Sequence, residues 1–467
     1  MEFNASDKPT KPAIICDDRQ LNWAELDAQV DQAAAFLFEK VGPSDTQQVI
    51  GLLFPNGWQF VVAYLAILRL GHIALPLDPT YKKLELGAII DQIKPLIIVT
   101  SDSYKDSVSG HDANIYIFGE SKNASSSWDF KSLRLPADKQ IASLVFTSGT
   151  TGKPKAATYS HANHIWNIVV CSEVWEWNEK DSLLISLPLS HWYGLVMGLA
   201  GILYHGNTLY IQEWFDEEKT LQALASGKIT MFTHISTVYF RLLEVKGSYD
   251  ISGVRLCISG GAALPPEIWQ KFKSRFGQEI LECYGSSETG RIASNLLDER
   301  IPGSPGRILP QVEQKFSENN EVLIRSPGLF PGYFNNGEAT KVSYTADGWW
   351  KTGDIGEMQD GRIVLKGRVQ ERIRRFGYTL SPRDIEWALH KYPKIKEVYV
   401  MGQQQEGQPN DSLIYFVAGD VAEAEIHEFC KENLPYAWRP DSIIMLGSIP
   451  RTRNGKPRLS QLKAMVA

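Results

Sequence analysis

The twelve residues from Leu144 to Lys155 hold the groups best suited to chemistry in this chain. They read Leu-Val-Phe-Thr-Ser-Gly-Thr-Thr-Gly-Lys-Pro-Lys and directly continue an apolar run. The glycines free the backbone to curl around a ligand, and exposed N–H groups and hydroxyls suit phosphate oxygens. Gly149 and Gly152 are too close together for a Walker A motif. The string predicts another kind of phosphate-binding loop, with a solvated turn as the alternative.

A second constellation, Cys283-Tyr-Gly-Ser-Ser-Glu-Thr-Gly290, follows the apolar pair Ile280–Leu281. It is therefore expected at the end of a strand, where α/β sheets bind ligands. Glu288 could hold Mg²⁺ through oxygen ligands and waters. Ser287 could bind a phosphate, and Tyr284 could lie against a flat ring. The alternative is a polar turn.

Four shorter strings add candidate groups. Ile258-Ser-Gly-Gly-Ala262 runs from a strand into a glycine turn, which lets the backbone approach a planar ligand. Asp354, in Lys-Thr-Gly-Asp, could accept both hydroxyls of a ribose from a tight glycine turn. Arg368 follows Gly367, and Lys456 ends the string Asn-Gly-Lys. For the string from Ile258 to Ala262 the alternative is a close-packed turn. For the string that ends at Lys456 it is a solvated basic tail.

The elements that must position these groups alternate between helix and strand. Leu21 to Phe38 predicts an amphipathic helix, Val49–Phe54 a buried strand and Gln59–Leu70 a helix. The strand-like runs Ile73–Leu77 and Leu96–Thr100 follow, and the pattern returns up to Cys283. This rhythm predicts an α/β fold with a mostly parallel sheet covered by helices.

The pattern of apolar and polar residues changes after about residue 300. Short alternating runs with tight turns predict a small antiparallel β region. A new helix is expected from Ser381, with Pro382 at its first position, leading into a compact α+β domain. We therefore predict a large N-terminal part at 1–366, a boundary segment at 367–371 and a small C-terminal lid at 372–467.

Bulk properties narrow the class of protein. A hydrophobic content of 43% and a charged content of 22% are typical of a soluble globular protein. The net charge of −6 provides no broad basic field for nucleic acid. The five cysteines lack disulfide or metal spacing, and no apolar run resembles a signal peptide or a membrane span. We expect a cytoplasmic location.

Taken together and in this order, the strings resemble the adenylate-forming superfamily of acyl-CoA synthetases, nonribosomal peptide adenylation domains and luciferases. The resemblance extends from about Asn22 to Leu462. It implies that a carboxylate attacks the α-phosphate of ATP, with Mg²⁺ as cofactor, giving an acyl-adenylate and pyrophosphate. A thiol then takes the acyl group and AMP leaves. It also implies that the small domain rotates between the two steps.

The resemblance also implies roles for single residues. Adenine would contact Gly260, Gly261, Ala262 and Tyr284 with its neighbour Gly285, and Ser287 would contact the α-phosphate. Glu288 would hold Mg²⁺, Asp354 the ribose, and Arg368 the ribose or phosphates. Lys456 would bridge the carboxylate and the α-phosphate. The residues assigned to the pyrophosphate-side loop are Thr147, Ser148, Gly149, Thr150, Thr151, Gly152 and Lys155.

The string from Leu187 to Gly194 resembles the family's aromatic gate motif, with His191 in the gating position and a structural histidine as the alternative. Amino-acid-activating domains usually carry an aspartate next, to pair with the substrate ammonium. Trp192 stands there instead, which argues against α-amino acids as substrates. Residues that could line an apolar or aromatic acyl pocket, or equally pack in the core, are Trp192, Tyr193, Val196, His234 and Tyr239.

The resemblance assigns a hinge and a thiol face to the start of the lid. The hinge position usually holds aspartate, and Glu371 stands there with the charge kept, so rotation is still expected. Gly377 lies where a pantetheine thiol would pass. Arg374 and Arg375 could pair with the phosphates of CoA or with an acidic carrier protein, or form a solvated basic turn.

Two acceptors and one unrelated function follow from these assignments. The first hypothesis is a carboxylate–CoA ligase acting on a fatty or aromatic acid. The alternative is the same adenylation followed by loading of a carrier protein's phosphopantetheine arm. A catalytically dead relative that senses an acyl ligand or nucleotide is disfavoured, because Glu288, Asp354, Arg368 and Lys456 are all present. The identity of the acid is left open.

Overall fold

The computed structural model describes residues 1–467 except 17–18, 112, 119–138, 148–154, 377, 405–409, 453–454 and 467. The strands are β1 Pro12–Ile15, β2 Gln20–Asn22, β3 Val49–Leu53, β4 Ile73–Leu77, β5 Ile97–Thr100, β6 Asn114–Ile117, β7 Ile141–Thr147, β8 Lys155–Ser160, β9 Ser182–Ile185, β10 Thr208–Ile211, β11 Met231–His234, β12 Leu256–Ser259, β13 Ile280–Ser286, β14 Gly290–Ser294, β15 Arg307–Ile308, β16 Glu313–Phe316, β17 Glu321–Arg325, β18 Trp350–Gln359, β19 Arg362–Arg368, β20 Ile373–Arg375, β21 Tyr378–Leu380, β22 Ile395–Gln403, β23 Ser412–Gly419 and β24 Ser442–Leu446.

The helices are α1 Glu2–Asp7, α2 Trp23–Val41, α3 Trp58–Arg69, α4 Lys83–Ile93, α5 Lys105–Val108, α6 His161–Trp175, α7 Trp192–Gly194, α8 Gly201–His205, α9 Glu217–Leu224, α10 Ser236–Glu244, α11 Pro266–Phe276, α12 Gly337–Val342, α13 Pro382–His390, α14 Glu423–Asn433 and α15 Leu459–Ala464. A π-helical turn, Leu195–Ala200, joins α7 to α8, and a 3-10 turn, Val369–Glu371, follows β19. Within the described ranges, no helix is both long and apolar enough to cross a membrane.

Two large sheets organise the N-terminal part. One has the strand order β15-β14-β13-β12-β11-β9-β10-β1-β2, and the other β6-β5-β3-β4-β7-β8. The pairs from β13 to β1 and from β6 to β7 are parallel, whereas β1–β2, β13–β14, β14–β15 and β7–β8 are antiparallel. The inner strands are buried along their length, as parallel strands covered on both faces must be. The predicted α/β class with mostly parallel sheets is confirmed.

The first long helix begins two residues later than predicted. Gln20–Asn22 pairs with β1 as a short strand, and the helix starts at Trp23. A capping box fixes this start, because Asn22 Oδ1 accepts from Glu25 N and Glu25 Oε2 accepts from Asn22 N, both at 2.8 Å. The predicted helix is therefore present, and its predicted first residue, Leu21, is wrong.

Beyond residue 300 the chain forms the small antiparallel region that the sequence predicts. Its sheet has the order β16-β17-β18-β19. The following residues build two small sheets, β20-β21 and β22-β23-β24, around a separate apolar core that includes Ile385, Val400 and Tyr415. A core of its own is what a small domain needs. The boundaries 1–366, 367–371 and 372–467 remain a prediction.

Several contacts hold this small C-terminal part, hereafter the lid, against the rest of the chain. Arg372 Nη2 donates to the Asn319 carbonyl at 2.7 Å, and Arg383 Nη1 donates to the Leu365 carbonyl at 3.0 Å. The Gly455 turn packs on the start of α10, since a Cβ added to Gly455 would lie 2.0 Å from Ile235 Cδ1 and 2.9 Å from Thr237 Oγ1. This packing brings the turn that carries Lys456 to the ends of the parallel strands.

Candidate active site

The carboxyl ends of parallel strands meet at one edge of each sheet, and the predicted groups cluster there. β12 ends at Ser259 and β13 at Ser286, and the two strands pair in parallel, so the turns that follow them are neighbours. β9 ends before the segment that contains His191, and β11 ends at His234. In open α/β sheets this edge is where ligands bind. The fold thus gathers strings that are far apart in sequence.

Only the two ends of the predicted phosphate loop are described. Thr147 and Lys155 pair across the antiparallel strands β7 and β8. Ser148, Gly149, Thr150, Thr151 and Gly152 lie outside the described residues. Lys155 Nζ is 5.0 Å from the centre of the Tyr333 ring, a cation–π distance. This contact places the cation beside the residue that holds Glu288.

Two hydroxyls fix the Glu288 carboxylate in the turn between β13 and β14. Tyr333 Oη donates to Oε1 and Ser286 Oγ donates to Oε2, each at 3.1 Å. One donor for each oxygen leaves lone pairs for a hydrated Mg²⁺, so the group fits the predicted metal role. Among the described residues no cluster of three or more His, Cys, Asp or Glu could hold a metal.

The tyrosine motif lies partly within a strand. The first four residues of the motif, Cys283 to Ser286, belong to β13, so the prediction that the whole motif follows the strand is wrong by four residues. Pairing with β14 extends the strand through these positions. A Cβ added to Gly285 would lie 2.0 Å from the Gly290 carbonyl oxygen, so this close pairing requires glycine. Ser287 is half-buried in the turn that follows.

Asp354 is held between a tyrosine and an arginine. Tyr284 Oη donates to Oδ2 at 2.6 Å, and Arg368 Nε donates to Oδ1 at 3.0 Å. Asp354 and Arg368 face each other across β18 and β19, and the carboxylate is the main cause that raises the pKa of Arg368. Burial and the neighbouring Asp354 raise the pKa of Tyr284. The three groups form a charged, hydrogen-bonded unit at the site.

The predicted tight glycine turn at Asp354 is wrong. Asp354 lies within the ten-residue strand β18, which pairs with β17 on one side and β19 on the other. Gly353 has a φ of +74° inside this strand, and the register shifts nearby. The glycine therefore serves a bulge that turns the Asp354 side chain, without ending the strand.

The Gly260–Gly261–Ala262 segment is a turn directly after β12, as predicted. Gly260 N donates to the His234 carbonyl at 3.1 Å, and Gly261 has a φ of +80°. A Cβ added to Gly260 would lie 2.9 Å from Arg291 Nη1 and 3.0 Å from Tyr193 Oη. Gly261 and Ala262 are exposed. A flat ligand could lie against this backbone.

Lys456 projects from a tight turn of the lid into the same region. Thr452 N donates to the Lys456 carbonyl and Gly455 N to the Thr452 carbonyl, both at 2.8 Å. The lysine surface is accessible to water, yet surrounding protein lowers its pKa, and Arg368 lowers it further. Glu288 and Asp354 oppose this effect. The lysine is thus within electrostatic range of the predicted metal and ribose ligands.

His191 caps the short helix α7, and its Nδ1 accepts from Tyr193 N at 3.3 Å. Burial, with a contribution from Lys456, lowers the pKa of His191 to about 3. The ring is therefore neutral near pH 7 with its proton on Nε2. His191 also lines a small pocket with Asp78, Tyr81 and Phe146, which the sequence did not single out.

Three of the predicted pocket residues have partners inside the core. Tyr239 Oη donates to the Ile258 carbonyl at 2.8 Å. His234 Nε2 lies 3.2 Å from Ser186 Oγ, and burial lowers its pKa to about 3. Val196 is fully buried in the π-helical turn. The rings of Trp192 and Tyr193 both lie against Arg291, a residue that sequence reasoning missed, and Tyr193 Oη is also 2.7 Å from Thr233 Oγ1.

The predicted thiol face has one buried and one exposed arginine. Arg375 is 6% exposed and forms an ion pair with Asp441 at 2.7 Å. The expectation that it faces CoA phosphates or a carrier is corrected, because its charge already has a partner within the lid. Arg374 is exposed on β20, while Gly377 lies outside the described residues.

The fold and the clustered groups define an adenylate-forming enzyme, and comparison with known proteins places the chain in a family. Residues 1–334 match the AMP-binding enzyme family, and residues 384–456 match the C-terminal domain of AMP-binding enzymes. The chain therefore belongs to the AMP-binding enzyme family.

Curated relatives cover most of the chain. A 2-succinylbenzoate–CoA ligase from Listeria monocytogenes is 29% identical, covering 97% of this chain and 96% of its own length. A mitochondrial malonate–CoA ligase from Homo sapiens is 27% identical, covering 89% of this chain and 82% of its own length. These relatives confirm the predicted class, an AMP-forming acid–thiol ligase.

Solved structures share the whole architecture. ATP-bound MatB from Rhodopseudomonas palustris is 25% identical with a TM-score of 0.90, covering 99% of this chain and 98% of its own. Its apo form, also 25% identical and covering 98% and 96%, has a TM-score of 0.78. MenE from Bacillus subtilis with ATP and magnesium is 25% identical with a TM-score of 0.88, covering 99% and 98%. Bound ATP and magnesium in these proteins fit the predicted ATP and Mg²⁺.

Proposed function

We propose that this protein activates a non-amino carboxylic acid with ATP, forming an acyl-adenylate and pyrophosphate, and then transfers the acyl group to the thiol of CoA. One observation carries the proposal. Lys456 of the lid lies within electrostatic range of Glu288, Asp354 and Arg368 of the larger part. These groups come from strings separated by up to 168 residues in sequence, and together they supply the charges that adenylation of a carboxylate needs.

Each group of the cluster has a task in the first step. Asp354, oriented by Tyr284 and Arg368, retains lone pairs that can accept both ribose hydroxyls. Lys456 supplies a point charge where negative charge develops between the attacking carboxylate and the α-phosphate. Mg²⁺, held by Glu288 when bound, supplies neutralisation of phosphate charge. Together these residues would align the carboxylate with the α-phosphate of ATP and offset the repulsion between the two negative groups.

The position of the lid fits the first of the two steps. The chain resembles the ATP-bound form of MatB more closely than the apo form, at equal sequence identity. Glu371 lies in the 3-10 turn after β19, near Arg368, Asp354 and Lys456, and burial raises its pKa. Rotation at 367–371 would separate these charges, withdraw Lys456 and present the Arg374 face to a thiol.

CoA is the acceptor that the relatives favour. Both curated relatives described above are named as CoA ligases. The exposed Arg374 provides positive charge for CoA phosphates on the predicted thiol face. Loading of an acyl or peptidyl carrier protein is the alternative, and the same arginine would then meet an acidic carrier surface.

The residue after His191 restricts the class of acid that the protein can activate. Trp192 follows His191 where an amino-acid-activating domain would hold an aspartate, so a substrate ammonium would find no anion at this position. The acids named for the two relatives, 2-succinylbenzoate and malonate, each carry two carboxyl groups. We keep a fatty or aromatic acid as the proposed class.

A hydroxylamine-trapping screen tests this function. Purified protein, ATP and Mg²⁺ are incubated with a panel of carboxylic acids, with and without CoA, and hydroxamate and AMP are measured. We expect hydroxamate from at least one non-amino acid without CoA, and acyl-CoA with AMP once CoA is added. Hydroxamate from α-amino acids only, or AMP release that requires a holo carrier protein, would contradict the proposal.

A further inference from the structure

Arg291 is a buried arginine beside the predicted gate. It lies on β14, is 1% exposed, and its backbone N–H donates to Asn167 Oδ1 at 2.8 Å. Its side-chain Nε and Nη2 are buried and have no hydrogen-bond partner among the described residues. A buried guanidinium with two unpartnered nitrogens is costly, because those N–H groups have lost their water. Such a group in a native protein needs an explanation.

The surroundings of Arg291 do not neutralise it. Its Cζ lies 4.3 Å from the Tyr193 ring centre and 5.7 Å from the Trp192 ring centre. Of the titratable groups near it, Cys283, Tyr193 and Cys171 act on it most strongly. Burial raises the pKa of all three, that of Cys171 to about 12, so they are neutral near pH 7. None of the ion pairs that the described residues form includes Arg291.

The guanidinium lies between the Gly260 turn after β12 and the segment of the predicted gate residue, His191. The Gly260 turn is the segment expected to meet the nucleotide, and a Cβ there would lie 2.9 Å from Arg291 Nη1. Trp192 directly follows the gate residue His191. Two more buried polar atoms of this region, Trp192 Nε1 and Ser259 Oγ, also lack partners among the described residues. Unpartnered hydrogen-bonding groups thus collect where the acyl part of a substrate would enter.

The two unpartnered nitrogens of Arg291 match one ligand geometry. Nε and Nη2 form one edge of the guanidinium, and their N–H bonds point in parallel. A carboxylate accepts such a pair with its two oxygens, the strongest arrangement available to an arginine. A neutral carbonyl would leave the buried charge unpaired.

We propose that Arg291 binds a second, distal carboxylate of the acid substrate, so that the substrates are dicarboxylic acids activated at one end. This inference rests on the proposed function and narrows its substrate class. Arg291 is then a specificity-determining residue of the acyl pocket, while the adenylation chemistry at the other carboxylate is unchanged.

Matched pairs of acids test the proposal by acid-dependent pyrophosphate exchange. Each pair is a linear or aromatic diacid and its monomethyl ester, which keeps one carboxylate and nearly the same length. The wild type should favour the best diacid over its ester by about 100-fold or more in kcat/KM, because a buried charge pair is lost with the ester. Arg291→Met should bring this ratio close to one, and Arg291→Lys should keep part of it.

The ratio separates recognition from a structural role. A merely structural arginine would lower the rates of diacid and ester by the same factor and leave the ratio unchanged, which would overturn the proposal. If Arg291→Met does not fold, the diacid-to-ester ratio of the wild type and that of Arg291→Lys decide whether Arg291 recognises the distal carboxylate. A wild type that activates monoacids as well as diacids overturns this inference and leaves the proposed function standing. Failure to activate any acid overturns both.

Discussion

Replacing Lys456 with alanine should separate the two half-reactions. The lysine stands in the electrostatic range of Glu288, Asp354 and Arg368, and its turn is fixed on α10 through Gly455. It therefore offers a positioned positive charge to the first step. Loss of one such preorganised group costs about 3–4 kcal/mol, or 10²–10³ in rate. We expect that loss in acid-dependent pyrophosphate exchange.

The second half-reaction provides the internal comparison. Transfer from preformed acyl-adenylate to CoA should stay within about threefold of wild type, because a rotated lid carries Lys456 away. The side chain is exposed, so the change in the free energy of unfolding should be within about 0.5 kcal/mol. Lys463→Ala, at an exposed lysine of helix α15, is the matched control and should leave both steps intact. An equal loss in both half-reactions for Lys456→Ala would refute the role.

Three further outcomes follow from the described contacts. Glu288→Gln should raise the Mg²⁺ concentration for half-maximal exchange at least about tenfold, with the exposed Glu338→Gln as control; unchanged Mg²⁺ dependence would count against the assignment. Asp354→Asn weakens two hydrogen bonds to a charged group, each worth about 1.5–3 kcal/mol, and should raise KM for ATP about 10-fold or more; a KM change confined to the acid would argue otherwise. Burial raises the pKa of Glu282 to about 8, above its unfolded value, so its ionisation removes stability as pH rises from about 4.5 to 8; the gain in Tm from Glu282→Gln should therefore be larger at pH 8 than at pH 5, and a constant difference would contradict this.

Much of the fold was predictable because its signals are local. The capping box at Asn22 and Glu25 marks the helix start within three residues, and buried apolar runs such as β4 mark inner strands. The glycine turn after β12 was also recognisable, because strand and turn are contiguous in the sequence. Local patterns therefore identified the elements, their class and most of the groups at their ends.

The remainder of the site depends on long-range pairing. Tyr333 reaches Glu288 across 45 residues, and no local pattern announces that hydrogen bond. The tight turn at Asp354 was a wrong prediction, because a glycine inside a strand resembles a turn until both neighbouring strands are known. Arg291 lies in the string Gly-Arg-Ile-Ala-Ser of β14, where no local pattern predicts a buried arginine, because its burial depends on the distant rings packed on it.

The most direct test of the account is the product formed from the best acid, ATP and CoA by the purified protein. Mass spectrometry of the thioester and quantification of AMP should give one acyl-CoA and one AMP for each ATP consumed. Without CoA, the acid should still support exchange of labelled pyrophosphate into ATP. ADP in place of AMP, or exchange that no carboxylic acid stimulates, would contradict the two-step activation proposed here.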